Sequence, residues 1–340
     1  MPVLQKCILM PQRLIKAASL FIAIFLFSAC SAETPVKKSD YLLGTIVSVT
    51  VYGCDNGDRI IDECFEKVRE IENKVSVAIE NSFISELNNS AFSCEIKTDS
   101  EVFNLISDSL SYCYETGGAF DIGLGKLIDL WGIGTDLQAV PDMNKLEPFI
   151  GFKGYEHIKL NYEQEALCFD NEQVSINLGA CAKGYAVNKA VAFLKDKGVK
   201  SAIIDFGGSI YIIGNKNGKG YDIGIADPRG EDVGGIISGL SDISIVTSGD
   251  YQRYFEQDGK RYHHIFDSNT AFPSESGVRS VTVVCSDAFK GDCLSTAAFV
   301  LGTEKGSELL DRMNCGYVFF TDDGIVVSED LKDSFSLIYE

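Results

Sequence analysis

Between residues 201 and 287 the chain passes through a succession of short segments, "SAIIDFGGSIYIIG", "YDIGIADP", "ISIVTSGDYQRYF", "KRYHHIFD" and "RSVTVVCSD", rich in β-branched and aromatic residues and separated by turn residues. This spacing predicts short strands closed by turns. The helical patterns stand mostly outside that region. "DRIIDECFEKVREIENKVS" and "EVFNLISDSLSYCYETGGAFD" place apolar residues at helical intervals between polar ones, as in a helix that lays one stripe on a sheet. "VSINLGACAKGYAVNKAVAFLKDKG" passes from strand to helix through a small-residue turn, and "LSTAAFVLG" with "KGSELLDRM" predicts a closing pair of helices. "YLLGTIVSVTVYG", from Tyr41, reads as one strand ending at Gly53. Strands and helices are mixed without the strict alternation of a doubly wound sheet. The expected class is therefore α+β, with mixed sheets flanked by helices. No internal repeat or low-complexity linker follows residue 41, so residues 41–340 are expected to form a single domain of two packed lobes.

The first thirty residues differ from the rest, with a basic flank "PQRLIK" ahead of the apolar run "AASLFIAIFLFSAC". That run is shorter than the roughly 20 residues a membrane-spanning helix needs, so residues 1–30 read as an export signal. Small residues before Cys30 resemble the bacterial lipoprotein cleavage box, with Phe27 in place of the usual Leu. Processing there would leave an extracytoplasmic chain lipid-anchored at Cys30 to a bacterial membrane. An uncleaved anchor and ordinary secretion are the alternatives, and Met10 is an alternative start. Residues 31–40, "SAETPVKKSD", read as a polar tether.

With 49 acidic against 30 basic residues, the formal net charge is -19. This argues against nucleic-acid phosphate as a partner. It does not exclude an anionic substrate whose phosphates are neutralised locally by lysine, backbone N–H groups or a metal. Of the 11 cysteines, setting aside Cys7 and Cys30 leaves nine, which cannot all pair. No C-x-x-C spacing occurs and only three histidines are present, so a zinc site has little support and buried free thiols are expected.

The run "GDCLSTAAF" (291–299) places Asp292 and Thr296 four residues apart within a small-residue helix, on one face with Ser295 beside them. One reading makes Asp292 the helix cap and bonds the Thr296 hydroxyl back to a carbonyl one turn earlier. The other is a hard-cation site, because Mg²⁺ takes oxygen ligands and usually only one or two carboxylates. Glycine-flanked polar clusters recur at "GGAFDIGLGKLIDLWGIG", "NLGACAKGYA", "DFGGSIY", "TSGDYQRYF" and "HHIFDSNTAFPS". Each alone is compatible with a turn. Neither a Walker A motif nor a G-x-G-x-x-G at a strand–helix junction is present.

Taken in order, "GGAFD....G.L..LWGIG", "LGACAKGYAV", "FGGSIY.IG", "TSGDYQRYF..DGKRYHHIFD..T..P" and "SVTVV....F.GDCLSTAAFVLG" resemble the ApbE flavin-transferase family, from about Tyr41 to the C-terminus. The resemblance implies Mg²⁺-dependent transfer of FMN from FAD to a Thr or Ser hydroxyl of a target flavoprotein, with AMP released. It implies metal ligation by Asp292, Thr296 and the Ala180 carbonyl, with a contribution from Ser295. FAD contacts are implied for Leu43, Ala119, Phe120, Asp121, Asn177, Lys183, His264 and Ile265. His264 is the implied base, since an imidazole titrates near neutrality. His263 is expected to point to the opposite face, and Asp267 to orient His264, to bind the flavin side, or to serve the following turn. Implied partners carry Asp-x-x-Ser/Thr-Gly-Ala-Thr/Ser in quinone-reductase or Rnf-type subunits and extracytoplasmic reductases.

The chain departs from the family pattern at Ala78, Asn177, Ser209, Ser268, Ala271 and Phe272, which bears on flavin and adenine contacts rather than on the reaction. Two rival readings remain at this stage. One is an FAD pyrophosphatase giving FMN and AMP; the other is a lipoprotein that binds FAD without breaking it.

Overall fold

The structure, a computed structural model, describes residues 34 to 338 except 217 and 231. The expected export signal and Cys30 lie outside the described residues. The described chain enters through β1 (Val36–Leu42) and β2 (Thr45–Val51), an antiparallel hairpin in register from Val36↔Val51 to Leu42↔Thr45. The single strand expected from Tyr41 is thus two strands, broken at Leu43 and Gly44. Residues 36–40 of the polar segment before it belong to β1 rather than to a tether. Polar residues suit that strand because β1 is the outermost of its sheet, with Lys37, Ser39 and Tyr41 exposed.

Helices α1 (Gly57–Val75) and α2 (Phe83–Ser90) follow, then β3 (Ile96–Lys97), α3 (Ser100–Glu115), α4 (Gly125–Trp131) and α5 (Met143–Leu146). Strands β4 (Ile158–Asn161) and β5 (Ala166–Phe169) complete a small sheet with β3 and lead to α6 (Ala182–Asp196). "VSIN" is not the expected strand. Its backbone instead bonds to the loop at residues 122–125, and Ser175 makes only an isolated bridge with Leu124.

The strand-rich half contributes β6 (Ala202–Phe206), β7 (Ser209–Ile213), β8 (Tyr221–Ala226), β9 (Val233–Leu240) and β10 (Ile243–Gly249). The short strands β11 (Tyr254–Gln257), β12 (Lys260–His263), β13 (Phe266–Asp267) and β14 (Phe272–Pro273) precede β15 (Val278–Cys285). After α7 (Ala288–Arg312) come β16 (Gly316–Thr321), β17 (Ile325–Val327) and β18 (Phe335–Leu337). The architecture is α+β, as expected.

One eight-stranded sheet, in the order β1-β2-β6-β7-β10-β15-β16-β17, organises the fold, and every neighbouring pair in it is antiparallel. Alternation along each strand gives it two apolar faces. In β7, Tyr211 and Ile213 join the core shared with α1, α6 and α7, while Ile212 joins the core on the other side. In β16, Tyr317 and Phe319 face the helices and Val318 and Phe320 face away. The second face is covered by the three-stranded sheet β18-β9-β8. A separate apolar cluster gathers Leu127 and Trp131 of α4 with Phe149, Phe255 and Phe266. Its buried indole is satisfied by donating to the Ala271 carbonyl at 3.1 Å.

Gly302 (φ +79°, ψ 178°) breaks the helical geometry of α7, so the two expected closing helices are two pieces of one element. Near the break, the Ser276 hydroxyl donates to the Phe299 carbonyl at 2.5 Å. Helices α6 and α7 cross backbone against backbone. A Cβ on Gly184 would lie 2.2 Å from the Ala288 carbonyl oxygen. Because that neighbour is main chain, Gly184→Ala is expected to cost about 2 kcal/mol or more. The check is a thermal melt, where Tm should fall by roughly 4 °C or more; an unchanged Tm would mean the helices can part freely.

Candidate functional site

The α7 helix starts earlier than its sequence suggests. Asp287 is its cap, accepting the Lys290 N–H at 3.0 Å, so Asp292 lies in the second turn and does not cap the helix. The Asp292 side chain is buried, with the residue 3% exposed. Its Oδ2 accepts the Gly184 N–H at 2.7 Å, and its Oδ1 accepts the Ser209 hydroxyl at 3.2 Å and lies 3.5 Å from Lys183 Nζ. Gly184 belongs to the first turn of α6, where unbonded N–H groups and the helix dipole favour negative charge. Three groups from two elements therefore converge on one carboxyl.

Thr296 stands one turn further along α7 and is half-buried. Its hydroxyl makes no hydrogen bond among the described residues, so the expected bond back to a carbonyl is not formed. Ser295 takes that carbonyl instead: its hydroxyl donates to the Asp292 oxygen at 3.1 Å and lies 2.8 Å from the Ser248 hydroxyl. Fully buried and doubly engaged, Ser295 supports the site from beneath, and the geometry does not favour it as a ligand. The half-buried Ala180, just ahead of α6, has a carbonyl that accepts no hydrogen bond among the described residues.

The loop at residues 117–125 lies along the segment that leads into α6. Asn177 donates its N–H to the Ile122 carbonyl at 2.8 Å, while its Oδ1 accepts the Gly179 N–H at 2.8 Å. Phe120 is buried and its N–H is held by the Thr116 hydroxyl at 3.2 Å; Ala119 is half-buried against the main core. Asp121 Oδ1 accepts N–H groups from Gly123 (2.7 Å) and Tyr155 (2.9 Å), whereas its Oδ2 is buried without a partner among the described residues. Burial pushes the Asp121 carboxyl up to about 7, against the lowering effect of the backbone donors.

His264 follows β12. Both its backbone N–H (3.2 Å) and its Nδ1 (3.1 Å) reach the Arg253 carbonyl. A carbonyl only accepts, so Nδ1 carries the ring proton and Nε2 presents a lone pair. Burial pushes the imidazole down to about 3, against the opposing Arg253 carbonyl, so the ring is neutral at physiological pH. Asp267 does not orient His264: its Oδ1 is taken by the Asn269 backbone and side-chain amides at 2.9 and 2.8 Å. The neighbouring His263 is buried, packs edge-on to Phe299, and reaches the Ser274 carbonyl at 3.0 Å.

Ile265 is 5% exposed in the main core, and its N–H and carbonyl bond to His263 and Ser274. The structure thus gives its side chain a packing role in the core. Leu43 is half-buried and its N–H donates to Glu72 Oε1 at 2.7 Å.

The donor set suits a hard cation. No group of three His, Cys, Asp or Glu residues able to hold a metal occurs among the described residues. Mg²⁺ does not require one, because a single carboxylate with neutral oxygens, water and phosphate suffices. Asp292 Oδ1, the Thr296 hydroxyl and the Ala180 carbonyl are oxygens with acceptor capacity to spare. Sequence reasoning passed over the Gly184 N–H and Ser248 and treated Ser209 only as a departure. The position of Ser209 within "FGGSIY" was the one available signal for it.

An antiparallel sheet roofed by helices, with a buried carboxyl, a lysine and a helix N-terminus together beside its interior strand β7, defines an α+β protein with a site suited to a phosphorylated ligand. The ApbE family matches residues 43–319, and the chain belongs to that family. It is 32% identical over 303 residues to an FAD:protein FMN transferase of Treponema pallidum, covering 83% of this chain and 84% of that protein. With an FAD:protein FMN transferase of Klebsiella pneumoniae the identity is 30% over 302 residues, covering 88% and 93%. Among solved structures, the ApbE protein of Thermotoga maritima superposes with a TM-score of 0.82 at 33% identity, covering 88% of this chain and 99% of that one. The flavin transferase ApbE of Vibrio cholerae gives 0.79 at 26% identity, covering 89% and 99%.

The raised Asp121 has a pH signature. Its folded value of about 7 exceeds the unfolded value near 3.9, so its contribution to stability is complete below about pH 4 and is lost as pH rises through 7. Asp121→Asn removes that dependence. The Tm of the variant relative to the parent should climb between pH 4 and 7 and level off above; a difference independent of pH would contradict the raised carboxyl.

Proposed function

We propose that this chain is an FAD:protein FMN transferase that moves FMN from FAD to a Thr or Ser hydroxyl of a target flavoprotein and releases AMP. The observation that carries the reading is the buried Asp292, set between the α6 N-terminus, Lys183 and Ser209 in a member of the ApbE family. When bound by Asp292, Thr296 and the Ala180 carbonyl, Mg²⁺ would neutralise pyrophosphate charge. Lys183 and the first turn of α6 hold the phosphates. His264 Nε2 accepts the proton of the target hydroxyl as its oxygen bonds to the FMN phosphorus, and the P–O bond to AMP breaks. A resting pKa near 3 makes this imidazole a weak base, so proton transfer accompanies bond formation rather than preceding it. Asp121, Asn177 and the Leu43 turn form the wall along which FAD lies.

The chain is further read as an exported lipoprotein held at Cys30 to the outer face of a bacterial membrane. With β1 starting at Val36, the link from anchor to fold is short, at most about 3.5 Å per residue. Targets would be extracytoplasmic domains bearing Asp-x-x-Ser/Thr-Gly-Ala-Thr/Ser, such as quinone-reductase or Rnf-type subunits. No helix among the described residues is long and apolar enough to cross a membrane.

The test incubates the full chain in detergent with FAD, Mg²⁺ and a domain bearing the target sequence, followed by intact mass and nucleotide chromatography. A gain of one FMN with matching AMP is expected. FMN and AMP without labelling would make it a pyrophosphatase, and intact bound FAD would make it a carrier. Asp292→Ala should abolish the Mg²⁺-dependent turnover. His264→Ala should lower kcat by roughly 10² to 10⁴ with little change in FAD binding. Because His264 stays neutral down to about pH 3, the kcat profile should lack a limb near pH 6.5; a limb there that vanishes in His264→Ala would show an unshifted imidazole.

A further inference from the structure

The β1–β2 turn is unusual in its chemistry. Leu43 (φ +54°) and Gly44 (φ +68°) are both left-handed. Such two-residue turns favour Asn-Gly or Asp-Gly, and a leucine in this conformation carries a strain of about 1 kcal/mol or more. Two side chains from distant elements hold it. Glu72 of α1 accepts the Leu43 N–H at 2.7 Å, and Arg253 Nη2 donates to the Gly44 carbonyl at 2.9 Å. Arg253 is also the residue whose own carbonyl fixes both the backbone and the ring of His264. Its neighbour Gln252 reaches towards the β6–β7 turn, where a Cβ on Gly208 would lie 3.4 Å from Gln252 Nε2. Arg253 itself is exposed, with no core packing to explain it.

We infer that Arg253 and Glu72 are positioning residues that lock the strained Leu43–Gly44 turn against the His264 segment, so that the turn and the base face FAD in fixed relation. The inference rests on the flavin-transferase reading. Arg253 acts on the turn through its guanidinium and on His264 through its main chain, so the two couplings separate by mutation. Arg253→Ala deletes only the first. The turn then relaxes, and FAD loses a preformed wall while the tautomer of His264 is retained.

The experiment titrates FAD into the full chain and measures flavin fluorescence, alongside transfer kinetics and thermal melts. Arg253→Ala is expected to weaken FAD binding and raise KM for FAD by roughly five- to tenfold, with kcat within about twofold. Glu72→Leu should do the same, whereas Arg253→Lys and Glu72→Gln, which can still donate or accept, should recover most of the loss. Tm should change by less than about 2 °C in Arg253→Ala, because the side chain is exposed. Parent-like FAD binding in both Arg253→Ala and Glu72→Leu would overturn the inference while leaving the transferase reading intact. So would a loss confined to kcat. Failure of the parent chain to bind FAD would overturn both.

Discussion

The site depends on keeping the Asp292 carboxyl out of water. A buried carboxylate without partners costs several kcal/mol, so the surrounding donors are a condition of the fold as well as of the chemistry. The shortest of these bonds comes from the Gly184 N–H, which is in reach only because Gly184 has no Cβ to hold the α7 backbone away. The helix crossing and the placement of the carboxyl are thus one construction. Ser209 ties the same group to the central sheet, and Ser295 with Ser248 braces the helix below it. The acceptor capacity left on Oδ1 faces Lys183, where a phosphate and a cation would meet.

Much of the scaffold was legible because it follows periodicity. The stripes of α1 and α3 and the turn-bounded β-branched runs of β6, β7 and β15 are local signals, and each element formed where its pattern placed it. The break at Leu43 was hidden because the apolar run continues through the turn, and the φ values are imposed by Glu72 and Arg253 from elsewhere in the chain. The start of α7 was hidden for a related reason. Asn188 accepts the Ala288 N–H and donates to Asp287, so a contact between helices decides where the helix begins. Asp292 and Thr296 could be picked from their spacing. That Thr296 is free while Ser295 is engaged depends on Ser248, which no local pattern could reveal. The partner of His264 is a main-chain carbonyl, a group every residue carries, so sequence alone pointed to Asp267.

The cysteines illustrate the same division between local chemistry and packing. Cys64, Cys113, Cys181, Cys285, Cys293 and Cys315 are buried and form no disulfide among the described residues. Burial pushes the Cys64 thiol up to about 12, which keeps it protonated and unreactive. These residues fill space as small apolar groups, in keeping with the uneven cysteine count. Cys181 and Cys293 adjoin the α6 entry and Asp292, so the floor of the site is built from compact side chains that let helices and sheet approach closely.

The break at Gly302 separates a helix that carries chemistry from one that closes the fold. An α-helix turns about 100° per residue, so an insertion in an unbroken α7 would swing everything beyond it out of register. With the helical geometry interrupted at Gly302 and the Phe299 carbonyl capped by Ser276, length changes beyond the break need not propagate back to Asp292 and Thr296. Lineages that lengthen or shorten the second piece could therefore remodel that end of the molecule while inheriting an undisturbed site.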